Sequence, residues 1–223
     1  MESLIAATAL FLGMHWIVSG SPLRGVIVAR TGEGPFKAMF ALTIAVSLAW
    51  MGIAYARAPY LETWGTVEAF KPASWMLMAL AFAMFGASIT ARNPTTLGAV
   101  PPDQVEARGI VRITRHAGLF ALGLWGLAHF PVNGDWASHL LFGSFVVQGL
   151  IAPLNLDRKY RKRHGAAWEV FAKQTSYLPF VAIWQGRNRL VLGEINWLAV
   201  AGALGLFGVT LAYHQAWFGA SPF

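Results

Sequence analysis

The chain contains no cysteine. That one absence removes disulfides, thiolate zinc sites, cysteine-ligated haem and cysteine nucleophiles. Charge is also scarce: 12% of the 223 residues are charged, where a soluble domain carries about a quarter. Acid is scarcer than base, with 10 Asp and Glu against 17 Lys and Arg and a formal net charge of +7. In a nucleic-acid-binding protein such an excess studs a polar face. Here the basic residues sit in short loops between apolar runs, which excludes nucleic acid as the partner and points to a lipid bilayer.

Several motifs are missing as well. The glycine-containing stretch SPLRGVIVARTGEGPF, residues 21–36, is followed by no Gly-Lys-Ser/Thr, so it is not a phosphate-binding loop. There is no HExxH, no Ser-His-Asp order and no pair of carboxylates within an apolar segment. No repeat or low-complexity tract divides the chain, so residues 1–223 read as a single domain. The N-terminal stretch MESLIAATALFLGMHWIVSG is apolar but has no basic start. It reads as a retained membrane helix rather than a cleaved signal. With no transit peptide in view, the expected location is a bacterial inner (cytoplasmic) membrane, in a multi-pass arrangement.

What the chain has in quantity is apolar sequence, 56% of its residues. A helix needs about 20 apolar residues to cross a bilayer, and six segments approach or reach that length: 3–19, 36–56, 74–91, 110–130, 136–153 and 197–213. The expected fold is therefore all-α, a polytopic bundle of about six transmembrane helices. Threaded six times, the chain puts both termini on one side together with only two basic residues, Arg57 and Lys71. The other 15 lie in the loops opposite. The positive-inside bias makes the rich side cytoplasmic and puts both termini outside. The basic cytoplasmic loop 154–196 is too long for a bare turn. Within it, Trp168 and Phe171 are three apart and share a helix face, beside DRKYRKRH. That pattern resembles an interfacial helix resting on anionic headgroups. NGDW, 133–136, reads as a tight turn with positive φ at its glycine.

Ionisable groups inside membrane helices are costly, so each is a functional candidate. His15 lies near the cytoplasmic end of the first segment, His116 opens the fourth and His129 closes it. His139, His164 and His214 read as interfacial or solvated. His116 and His129 are 13 residues apart, roughly 20 Å along an unbroken helix at about 1.5 Å per residue, and they point to different faces. They cannot share one metal ion on a straight helix. By depth, His15 and His116 lie in one layer and His129 in the other. Two histidines from different helices can hold a b-type haem between them. A second candidate is the basic entry to the fourth segment. There Arg112 and His116 stand four apart with Arg115 beside them, and Asp157 and Arg158 follow the fifth segment. An acid opening so basic a loop is expected to pair with an arginine. His116, Arg115, Arg112 and Asp157 form the candidate catalytic cluster at the cytoplasmic mouth. The 10 Trp, 15 Phe and 5 Tyr suit both interface belts and a pocket for an apolar small molecule.

The stretches GMHWIVSGSPLR, RTGEGPFKAMF, GIVRITRHAGLFALGLWGLAHFPVNGD, LDRKYRKRHGAAWEVF and TSYLPFVAIWQGR together resemble the NnrU family of bacterial membrane proteins. They also resemble that family's plant and cyanobacterial relatives, the 15-cis-zeta-carotene isomerases. The resemblance covers nearly the whole chain. It implies an integral membrane protein linked to nitrite and nitric oxide reduction in denitrification. Alternatively, it implies an enzyme in which haem b drives cis–trans isomerisation of a polyene. By the same resemblance, His15 and His129 correspond to the axial ligands of the haem iron, and His116 to a third histidine needed for function. The isomerases carry a cysteine three residues before the second ligand, where this chain has Gly126, and a proline where it has Ala117. The resemblance pairs His15 with His129, whereas depth pairs His15 with His116. A break in the fourth helix near Gly118, Gly123 or Gly126 would reconcile the two. A more distant resemblance, to isoprenylcysteine-type membrane methyltransferases, rests on Arg115-His116 and the order Asp157, Gly165, Trp168, Phe171, Pro179. That family's proline, glutamate pair and tyrosines are missing here, so the resemblance implies first a shared fold and only as a third alternative a methyltransferase-like enzyme acting at the cytoplasmic mouth.

Overall fold

A computed structural model describes residues 1–95 and 100–223. Helix α1, Glu2–Gly13, runs directly into a π-helical turn, Met14–Val18. The chain then bends by 83° into α2, Leu23–Thr31. α3, Glu33–Ala56, starts with an acid in its first turn, where the helix dipole favours negative charge. Arg24 from α2 meets that same Glu33 at 2.6 Å and fixes the corner. A strand, β1 (Glu62–Thr66), leads to α4, Lys71–Ile89. Then come α5 (Ile110–Ile113), α6 (Ala117–His129), β2 (Asn133–Asp135) and α7 (Trp136–Val146). A second π-helical turn, Val147–Ile151, joins α7 to α8, Ala152–His164. α9 (Ala166–Gln174), α10 (Val181–Trp184) and α11 (Trp197–Phe218) complete the chain.

The protein is all-α and polytopic. Glu33–Ala56, Glu68–Ile89, Trp136–His164 and Trp197–Phe218 are each long and apolar enough to cross a membrane, and the bent pair α1–α2 makes a fifth where it is counted as one span. The sixth expected helix, over 110–130, is broken near its start. Thr114 is extended, at φ −155° and ψ 141°. The Arg115 N–H donates to the Ser176 carbonyl at 3.0 Å. The Arg115 carbonyl accepts from Asn93 Nδ2 at 2.7 Å and from Thr95 Oγ1 at 2.6 Å. Those backbone groups are committed to other segments and cannot join a helical ladder. What remains is the 13-residue α6, roughly 20 Å long at about 1.5 Å per residue against a hydrocarbon core of about 30 Å.

α4 lies at the centre, packed on α6 and α11, while α6 also packs on α7 and α1 on α3. α6 is unbroken from Ala117 to His129, so its glycines do not bend it. They let other backbones approach. A Cβ on Gly123 would meet Leu150 Cδ2 at 2.6 Å, and one on Gly149 would strike the Gly123 backbone. At the end opposite the basic loops, β1 and β2 pair antiparallel, Thr66 with Asn133 and Glu62 with Asp135. NGDW is thus a strand end rather than a turn. Asp135 caps α7 by accepting from the Ser138 N–H at 3.0 Å. α9 is also not the headgroup-bound helix its sequence suggests. Its aromatic face, Trp168 and Phe171, is sealed in the protein core with Val111, Ala117 and Phe120.

Candidate functional site

The basic end holds a closed polar cluster. His116 caps α6 and Arg115 precedes it, and both face Asp157 of α8. Arg115 Nε donates to the two carboxylate oxygens at 3.0 and 3.1 Å, and its Nη2 also bonds Oδ2. Nη1 reaches Thr175 Oγ1 at 3.4 Å, and the guanidinium carbon lies 5.8 Å from the centre of the Trp168 ring. His116 Nε2 lies 2.7 Å from Asp157 Oδ1. A carboxylate paired to a guanidinium only accepts, so Nε2 carries a proton. Nδ1 is buried and has no hydrogen-bond partner among the described residues. All three side chains are buried, His116 to 1% exposure. The expected pairing of Asp157 with an arginine is present, and the arginine is Arg115.

Arg112 does not join them. It turns to the last loop, donating to Glu194 Oε2 at 2.6 Å, Glu194 Oε1 at 2.9 Å and Asn188 Oδ1 at 2.6 Å. The Gly109 N–H adds a bond to Glu194 at 2.8 Å. The guanidinium and this N–H hold the Glu194 carboxyl down to about 2, against 4.5 for an ordinary glutamate. Arg158 is exposed and stands apart. Beside His116, between α4 and α6, lies a cavity of about 560 Å³. Phe85, Ile89, Val100 and Leu119 make its apolar side, and Ser88, Thr90, Asn93 and Thr95 its polar side.

The remaining candidates lie in apolar surroundings. His15 sits on the first π-helical turn, its ring against Phe11 and Phe40 at 4.8 and 5.3 Å. Its Nδ1 is 2.9 Å from the Phe11 carbonyl. The next residue, Trp16, donates to Gln148 on the second π-helical turn at 3.2 Å, so the two irregular turns are tied together. π-turns inside helices are frequent at functional sites. His129 stacks on Phe142 at 4.6 Å, and its Nδ1 is 2.9 Å from the Trp125 carbonyl. A carbonyl cannot donate, so in both histidines Nδ1–H is the donor and Nε2 keeps its lone pair. Neither Nε2 is hydrogen-bonded among the described residues.

The rings of His15 and His129 are not in contact. The path between them runs through Phe11, Phe145 and Trp125, with ring centres 5.5 Å apart and then 5.0 Å. Among the described residues no three His, Asp or Glu side chains converge on one point. The donors on offer are imidazoles, singly or in pairs. Gly126, where the resemblance expects a cysteine, is closed by packing. A Cβ there would lie 2.7 Å from the Phe142 carbonyl and 3.0 Å from the Val146 nitrogen. The sequence reading also passed over His214, whose ring centre lies 6.5 Å from that of His129. The available signal was that both histidines close helices ending at the same face of the bundle.

The family described as NnrU protein matches residues 3–222. The 15-cis-zeta-carotene isomerase of Arabidopsis thaliana is 30% identical over 194 residues, which is 83% of this chain and 52% of that protein. The isomerase of the same name from Zea mays is 38% identical over 82 residues, 37% of this chain and 22% of that protein. The chain spans about half the length of the curated relatives it matches, and both are chloroplastic by name. No solved structure shows significant similarity to it.

Proposed function

The chain belongs to the NnrU family, and on that premise we propose that it is a haem b-binding membrane protein acting as a cis–trans isomerase on a long apolar polyene. The observation that carries the haem assignment is the shared tautomer of His15 and His129. Each spends Nδ1–H on the carbonyl four residues back and leaves Nε2 unused, as metal-ligating histidines do. Imidazoles presented in this way fit haem, and His129 is one of the residues that would hold it. When bound, haem supplies an iron centre that lends electron density to, or polarises, a double bond.

The protein's own residues do the rest. The cavity beside His116 accepts apolar chain on its Phe85, Ile89 and Leu119 side and keeps water away from it. Asp157 holds Arg115 and His116 in fixed orientation at the cavity's polar edge. Arg112, tied to Glu194, braces the last loop instead. The names of the two relatives support the isomerase reading. A second reading is an accessory haem protein in nitrite and nitric oxide reduction, in a bacterial inner membrane. Gly126 favours it, since the packing around that position leaves no room for a third, exchangeable ligand.

The test is direct. The full chain, expressed with ample haem and purified in detergent, is expected to show a Soret band. It is also expected to change the isomer ratio in a strain accumulating 15-cis polyene. A Soret band with no change in isomers would select the second reading, and a colourless protein would sink both.

A further inference from the structure

We infer that the imidazole facing His129 across the iron is His214, not His15; this rests on the haem reading above. Three observations lead there. The first is distance. A metal–imidazole bond of about 2 Å on each side puts two trans ring centres roughly 6 Å apart. His129 and His214 have ring centres 6.5 Å apart with planes 21° from parallel. Among the described residues His15 makes ring contacts only with Phe11 and Phe40, and the ring path from it to His129 passes through Phe145 and Trp125.

The second observation is tautomer. Gly219 takes a left-handed conformation, φ 74°, and ends α11. The turn brings the Ala220 carbonyl to 2.7 Å from His214 Nδ1. The Nδ1–H donates there, and Nε2 remains free. The chain past α11 therefore fixes His214 as Trp125 fixes His129. That tail is itself anchored, since Trp75 Nε1 donates to the Pro222 carbonyl at 2.8 Å and Lys71 Nζ to the Phe223 carbonyl at 2.7 Å. Ser74 Oγ meanwhile donates to the Ala128 carbonyl at 2.6 Å, beside His129. The start of α4 thus holds both histidine-bearing ends in register.

The third is access. α11 packs along α4 and makes no comparable seam with α6 or α7 among the described residues. Only 6% of its apolar window is buried. The helix that carries His214 therefore presents most of its surface to lipid, the side from which a flat apolar macrocycle would enter.

The test is spectroscopic and uses the full chain loaded with haem b in detergent. Wild type is expected to be six-coordinate and low-spin. His214→Ala and His129→Ala should each give a high-spin spectrum or lose the haem, while His15→Ala stays low-spin. Millimolar imidazole should restore the low-spin spectrum of His214→Ala, which separates a lost ligand from a lost fold. If His214→Ala stays low-spin and His15→Ala turns high-spin, the pairing is overturned and the haem reading survives. A wild-type protein with no Soret band overturns both.

Discussion

Asp157 offers the sharpest test of the basic-end cluster. One carboxylate there accepts from Arg115 Nε at 3.0 and 3.1 Å, from Arg115 Nη2, and from His116 Nε2 at 2.7 Å. Arg115 is 8% exposed and His116 1%. Asp157→Ala leaves a guanidinium that water cannot reach and no counter-charge. Breaking a buried pair from one side costs about 3–5 kcal/mol. Asp157→Asn keeps an oxygen acceptor but removes the charge, and should fall nearer the ~1–3 kcal/mol of an unsatisfied buried group. Replacing both partners, Arg115→Met with Asp157→Leu, removes the charge and its counter-charge together. It should recover most of the single-variant loss, because an apolar pair of similar volume is often neutral. The assay is equilibrium unfolding of wild type and the three variants in the same micelle, with each midpoint compared directly. A loss for Asp157→Ala below about 1 kcal/mol, the level of exposed surface pairs, would refute the reasoning. So would a double variant weaker than Asp157→Ala.

Other consequences are open to simpler measurements. Gly126→Cys must push Phe142 and Val146 of α7 away from α6, and overpacking of this kind costs about 1–3 kcal/mol. It should lower the unfolding midpoint without creating a thiolate absorption band. The Glu194 carboxyl is held at about 2 in the fold against 4.5 outside it, so its contribution is complete above about pH 4.5 and is lost as pH falls from there toward 2. The exchange protection of the Gly109 amide, relative to its intrinsic rate at each pH, should fall over that interval in wild type, and Glu194→Gln should show little protection throughout. From the distribution of arginine and lysine both termini are expected outside the cytoplasm, so a reporter fused after Phe223 with cytoplasmic activity would overturn the orientation.

Most apolar segments match helices within a few residues because burial and lipid contact act on the same residue types. Segment 36–56 became Glu33–Ala56 and segment 197–213 became Trp197–Phe218. The fourth segment misled because its hydropathy is continuous while its hydrogen bonding is not. Arg115 commits its N–H to Ser176 and its carbonyl to Asn93 and Thr95, and nothing local in ITRHAG announces partners so far along the chain. The Arg115–Asp157 pair was legible, since an acid in so basic a loop needs a cation. The departure of Arg112 was not. Its partner Glu194 lies 82 residues away, and its four-residue spacing from His116 had a helical meaning only if a helix continued through both. Trp168 and Phe171 were placed on one face correctly. Amphipathicity, however, does not say whether that face meets lipid or protein.

The glycines of α6 show most clearly how a composition signal can have two physical meanings. Three glycines in a membrane helix suggest a bend, and a bend was the device that would have let His129 reach the layer of His15. The helix is unbroken over these positions, and Gly123 and Gly126 are consumed by contact. Leu150 and Gly149 lie against the first, and the Phe142 carbonyl against the second, as small residues do between membrane helices. A helix held in that seam cannot also hinge there. The depth of His129 is therefore fixed by the length of α6, and any partner must come from an element that ends at the same level. α1 delivers His15 toward the opposite end, next to the turn that leads into α2. α11 delivers His214 one turn before its own C-terminus, beside the last residue of α6. The packing that makes α6 rigid thus also decides which imidazole lies within reach of His129.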